Sequence, residues 1–124
     1  MAAPNIIAAT SVLGKTATVD LTTTSATEVL SNADASGKVF KVNTLIVANV
    51  DGTNAADITV SFYSEDNIGG TATEIIQSKS VAAETNLVVI SKDTPIYLEE
   101  NRSLGATASA SNDLRVIVSY EEIS

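Results

Sequence analysis

The chain has no cysteine, no histidine and no tryptophan. Without cysteine there are no disulfides and no thiolate chemistry. With histidine also missing, the strong ligands for zinc, iron and copper are gone, and only oxygen donors suited to hard cations remain. Aromatic residues make up 4% of the chain and are limited to Phe40, Phe62, Tyr63, Tyr97 and Tyr120. Any core must therefore be built from Val, Ile, Leu and Ala. Cations are scarce as well: seven Lys and Arg stand against 15 Asp and Glu, a net charge of −8. Nucleic-acid binding depends on cations that displace counterions, so no nucleic-acid partner is expected. No segment approaches the roughly 20 apolar residues of a membrane span, so no membrane is expected either. The opening Met1-Ala2-Ala3-Pro4-Asn5 lacks the basic and apolar regions of a secretory signal. The expected place of action is a cytoplasm, or particles assembled in one.

A chain of 124 residues has the common size of one domain. Its hydrophobic fraction of 44% is ordinary, and much of the rest is Thr and Ser, which sit well on the open face of a pleated sheet. Alternation is the leading pattern. Between Phe40 and Val50 one parity carries Phe40, Val42, Ile46, Ala48 and Val50; the other carries Lys41, Asn43 and Asn49, with Leu45 and Val47 between. Because strand side chains alternate between faces, this predicts a long strand buried through the Phe40 parity. Asp51-Gly52-Thr53-Asn54 then reads as a turn, and Ile58, Val60 and Phe62 as its hairpin partner strand.

Further strands are predicted at 17–21, 27–30, 73–81, 87–90, 96–98 and 104–108, with a last one carrying Leu114, Val116, Val118 and Tyr120 on one face. Turn residues separate them, and no window has a helical period. The expected fold is all-β: a single antiparallel β-sandwich, jelly-roll-like or Greek-key, of about 8–10 strands. Residues 14–124 form the sandwich domain in this reading, and residues 1–13 stand apart. Ile6, Ile7, Val12 and Leu13 are apolar but fit neither a strand nor a helix period. Two readings are open: a first strand that closes the sandwich, or an arm that pairs with a neighbouring subunit.

Several constellations invite chemistry and fail on geometry. Gly14-Lys15-Thr16 resembles the end of a phosphate loop, but Ala9 stands where that motif needs glycine and a strand follows in place of a helix. A Ser nucleophile in Ser78-Lys79-Ser80 would need Lys79 as base, yet neighbours on a strand face opposite ways. The acid pairs Glu99-Glu100 and Glu121-Glu122 lack the aromatic cleft of a glycosidase. Calcium has the best of the weak cases, with Asp51, Asn54 and Asp57 at one turn and Glu65, Asp66 and Asn67 at another. Neither matches the spacing of a known calcium loop, and turns are made of these residues in any case. No catalytic, cofactor or metal residue is assigned, no cofactor is implied, and no enzyme is expected.

Lys38-Val39-Phe40-Lys41-Val42-Asn43, Val47 through Asp57, Pro95-Ile96-Tyr97-Leu98-Glu99-Glu100 and the ending Val118-Ser119-Tyr120-Glu121-Glu122-Ile123-Ser124 together resemble a family of small virion structural proteins of marine tailed bacteriophages, cyanophages included. The resemblance begins at Gly14-Lys15-Thr16-Ala17 and spans nearly the whole chain. It departs at Asn101-Arg102-Ser103-Leu104, where the family pattern has Gly-Asp-Ser-Leu. It implies a β-sandwich virion protein, either a capsid decoration protein bound to the major capsid protein or a neck or tail component. The implied partners are itself, as a homo-oligomer with a trimer favoured, and other virion proteins. A carbohydrate- or surface-binding module is the alternative, because jelly rolls also serve as lectins.

Overall fold

The computed structural model describes Asn5 and residues 7–124. Among these there is no helix, and nine strands form two antiparallel sheets. The strands are β1 (Val12–Asp20), β2 (Thr27–Asn32), β3 (Val39–Asn49), β4 (Ala56–Tyr63), β5 (Ala72–Val81), β6 (Asn86–Ile90), β7 (Ile96–Leu98), β8 (Arg102–Ala108) and β9 (Leu114–Ile123). The first sheet runs β1-β9-β3-β6, with β7 also paired to β3; the second runs β2-β8-β4-β5.

β6 and β7 lie end to end along β3, parted by a loop that contains Pro95. Taken as one interrupted strand, they give an eight-strand pairing of first with last, second with next-to-last, and so inward to β4 with β5. This is a jelly roll: a long antiparallel ribbon, its tip at the β4–β5 turn, rolled until its two halves cover each other. All-β folding and the sandwich follow the expectation from alternation and turn spacing.

One expected contact is overturned. β3 and β4 form no hairpin across Asp51–Asn54, because β3 belongs to the first sheet and β4 to the second. The turn carries the chain from one sheet to the other. Asp51 accepts the backbone N–H of Thr53 at 2.8 Å and of Asn54 at 3.2 Å, which shapes a tight bend without strand pairing.

The buried parity of β3 also changes midway. Phe40 and Val42 face the core as expected, but Leu45, Val47 and Asn49 do so thereafter, while Val50 is 46% exposed. The register against β9 slips between Val42 and Thr44. A bulge adds one residue, and one residue reverses every later side chain.

The core between the sheets is aliphatic, with Leu21, Leu45, Ile58, Ile90, Leu98, Leu104 and Leu114 fully buried. Phe40 packs on Tyr120 at a centroid distance of 5.2 Å. Two buried asparagines join the sheets. Asn49 of β3 donates through Nδ2 to the carbonyls of Val81 (2.9 Å) and Asn54 (3.0 Å). Asn32 of β2 donates likewise to those of Lys38 (2.9 Å) and Leu98 (3.0 Å). Each sits at strand ends, where its amide donates to two carbonyls and leaves no buried side-chain polar group of its own unpaired.

Within the segment read as an arm, Met1–Pro4 and Ile6 lie outside the described residues. The backbone N–H groups of Thr10 and Ser11 donate to the carbonyl of Ser124, and β1 starts at Val12.

Candidate functional site

The outer face of the second sheet is the most featured surface. Its β4–β5 loop does not extend from the tip of the ribbon but folds back over β8 and β2. Ser103 Oγ donates to the carbonyl of Glu65 at 2.8 Å and accepts the N–H of Ile68 at 2.9 Å. Ser31 Oγ accepts the N–H of Asn67, and Asn101 Oδ1 that of Asp66. Asn67 and Ile68 are held at φ 53° and 51°. A β-branched residue in that region is strained, so these hydrogen bonds must hold it there.

Gly105 makes room for the strap. A Cβ at that position would stand 2.8 Å from Tyr63 Cε1 and 2.9 Å from Ile68 Cγ2. Asn101 sits at φ 59°, a left-handed conformation that asparagine tolerates better than most residues.

Beside the strap, toward the opposite end of the sandwich, lies a hollow of about 290 Å³ lined by Thr24, Asp57, Thr59, Ser78, Thr107 and Ser109, with Ala108. Asp57 and Thr59 come from β4, Thr107 from β8, and Ser109 from just past its end. Ser78 reaches it because β5 bulges there, with Ser78 at φ 49° and its N–H on Thr59 Oγ1 at 3.0 Å. Ser109 Oγ accepts the N–H of Asp57 at 2.8 Å. The surface combines hydroxyls with one carboxylate. It can hydrogen-bond a polyhydroxylated ligand but holds no base–nucleophile pair. The lining comes from four separate segments, so linear reading picked out Asp57 and Ser78 singly but not the hollow they share.

Of the residues singled out from sequence, Asp57 and Ser78 line the hollow, and the others fall elsewhere. Gly14, Lys15 and Thr16 are mid-strand in β1, extended and exposed. Ser78 and Lys79 are separated by the β5 bulge. Asp51 spends its carboxylate on its own turn: the N–H groups of Thr53 and then Asn54, followed by the Asn54 side chain, hold its pKa below 3.8. Asp66 Oδ2 accepts the N–H of Asp34, and Glu100 Oε2 that of Gly37. Among the described residues, no three acidic side chains gather as a metal site would require. Glu122 lies between Lys15 at 3.1 Å and Lys38 at 3.4 Å. Burial pushes its carboxyl up, but the Lys15 hydrogen bond and the Lys38 charge outweigh that and hold it below 4.5.

No protein-family model and no curated protein sequence matches the chain. Solved structures share its fold. A chain in the acid-stable capsid of Helicobacter pylori bacteriophage KHP30 is 9% identical with a TM-score of 0.50, over 94% of this chain and 90% of that one. A chain of the infectious bursal disease virus particle is 10% identical with a TM-score of 0.49, covering 93% of this chain. The present chain spans only 31% of that viral chain. At these identities the likeness is one of fold.

Proposed function

We propose that the chain is a non-enzymatic structural protein of a tailed-bacteriophage virion, a capsid decoration protein that binds the major capsid protein and stabilises the head shell. The observation that carries this reading is the likeness of the jelly roll to a chain of a phage capsid, over 94% of this chain and 90% of that one. The make-up suits the role. A shell protein needs shape and a solid core more than reactive groups, and partners that bind only the folded form add to its stability. An acidic surface limits non-specific association of free copies before assembly.

Quantitative mass spectrometry of purified particles tests this. A decoration protein is present at a copy number comparable to the coat subunit, whereas a neck or tail component is present at a small fraction of it. Absence from purified particles refutes the virion reading. The hollow around Asp57 and Thr59 favours a second reading, a surface-carbohydrate module. Glycan-array binding that disappears on Asp57→Ala would establish it.

A further inference from the structure

We infer that the free edge of β1 is a pairing site for a second copy of this chain, joined antiparallel about a two-fold axis at Thr16. Four edges border the two sheets, and three are interrupted. β2 has a register slip between Glu28 and Leu30, and β5 has two slips with Ser78 left-handed. The β6–β7 edge breaks at the loop before Ile96 and slips at Leu45–Ile46 of its partner. Bulges and breaks of this kind are how sheets prevent edge-to-edge association. β1 has none: its nine residues pair with β9 in one unbroken register, and among the described residues nothing pairs with its other side.

The polar groups on that side are identifiable. Ser11 and Ser124 exchange both backbone hydrogen bonds, and the N–H of Leu21 donates to Leu114. Antiparallel pairs alternate, so odd residues of β1 bond to β9, and Val12, Gly14, Thr16, Thr18 and Asp20 direct N–H and C=O to the open edge. This edge is also apolar where it would be expected to be polar: Val12 is 57% and Leu13 49% exposed.

The sequence of β1 is complementary to itself in one register. With Thr16 opposite Thr16, Leu13 faces Val19 of the partner copy, Lys15 faces Ala17, and Gly14 faces Thr18. Leu13 meets Val19, no like charges stand opposite, and the two exposed leucines gain cover; at the ends of the seam Val12 faces Asp20. Lys15 is drawn back onto Glu122 of its own chain and Asp20 toward Arg115, so neither charge projects across the seam. Pairing of this kind is isologous and closes at two copies, in place of the three-fold association favoured from the family resemblance. It is independent of where on a particle the chain sits.

Sedimentation equilibrium of the full chain, in about 0.15 M salt to screen the net charge and up to about 1 mM protein, is expected to show a monomer–dimer equilibrium. Thr16→Pro removes only an outward N–H and leaves the β9 ladder intact, so it should weaken association by at least about tenfold with the circular dichroism unchanged. Thr18→Lys, a charge set at the seam, should do the same, and it decides the matter if the proline variant fails to fold. In hydrogen exchange, the amides of Gly14, Thr16 and Thr18 should gain protection as concentration rises, while those of Lys15, Ala17 and Val19 stay protected throughout. A wild type that remains monomeric over the range, a trimeric mass, or a folded variant that associates like wild type overturns the inference.

Discussion

Replacing Asn49 by leucine tests whether the polar staples hold the roll closed. The side chain is 3% exposed and nearly isosteric with leucine, so volume changes little. What is lost is two donations, to Val81 and Asn54 in the half opposite β3, and the acceptance of the Asp51 N–H at 2.9 Å. The Val81 carbonyl lies in the buried end of β5, where leucine offers it no donor in place of the amide. Leaving such a group unpaired costs about 1–3 kcal/mol, while the two groups near the exposed Asp51 turn recover part of their loss from water. The expected total is about 3 kcal/mol, or roughly 10 °C in Tm for a domain of this size. Urea unfolding should show the midpoint falling with the slope unchanged. Asn49→Asp retains the shape and the acceptor but cannot donate to Val81, and should be at least as damaging at neutral pH. A loss below about 1 kcal/mol for Asn49→Leu would mean that the sheets are held by apolar packing alone and the staple is incidental.

Gly105→Val should lift the 64–70 strap, because its Cβ meets Tyr63 and Ile68 inside contact distance. A destabilisation of about 1–3 kcal/mol, with faster exchange at the amides of Asn67 and Ile68, is expected, and unchanged exchange would refute the packing account. The Glu122 carboxyl is depressed in the folded state, so its contribution is present above the unfolded pKa and lost as pH falls through the folded value below 4.5. Both lysine partners are more than 40% exposed, so the effect is small. Melting curves of wild type and Glu122→Gln should converge on acidification, and a gap constant with pH would contradict the ion triad. Millimolar calcium should leave Tm unchanged, because Asp51 and Asp66 already accept backbone N–H groups; a rise abolished by Asp51→Ala would reveal a site.

Alternation and turn residues, both local signals, determined the fold class and the positions of nearly every strand. Leu114, Val116 and Val118 face inward as their spacing requires, as do Leu104, Ala106 and Ala108. In β3 the same periodicity failed after Val42, because a bulge depends on how β9 lies alongside and not on β3 itself. Asn49 therefore read as a solvent residue and proved to be a buried staple. The Asp51 turn was legible as a turn, yet whether it closes a hairpin or crosses between sheets depends on which partners β3 and β4 find far along the chain. The hollow around Asp57 and the open edge of β1 belong to the same class of facts. Local sequence sets which residues prefer extended backbone and how apolar residues alternate along them. Tertiary structure decided pairing, register and the surfaces that result, because those depend on contacts among residues distant in the chain.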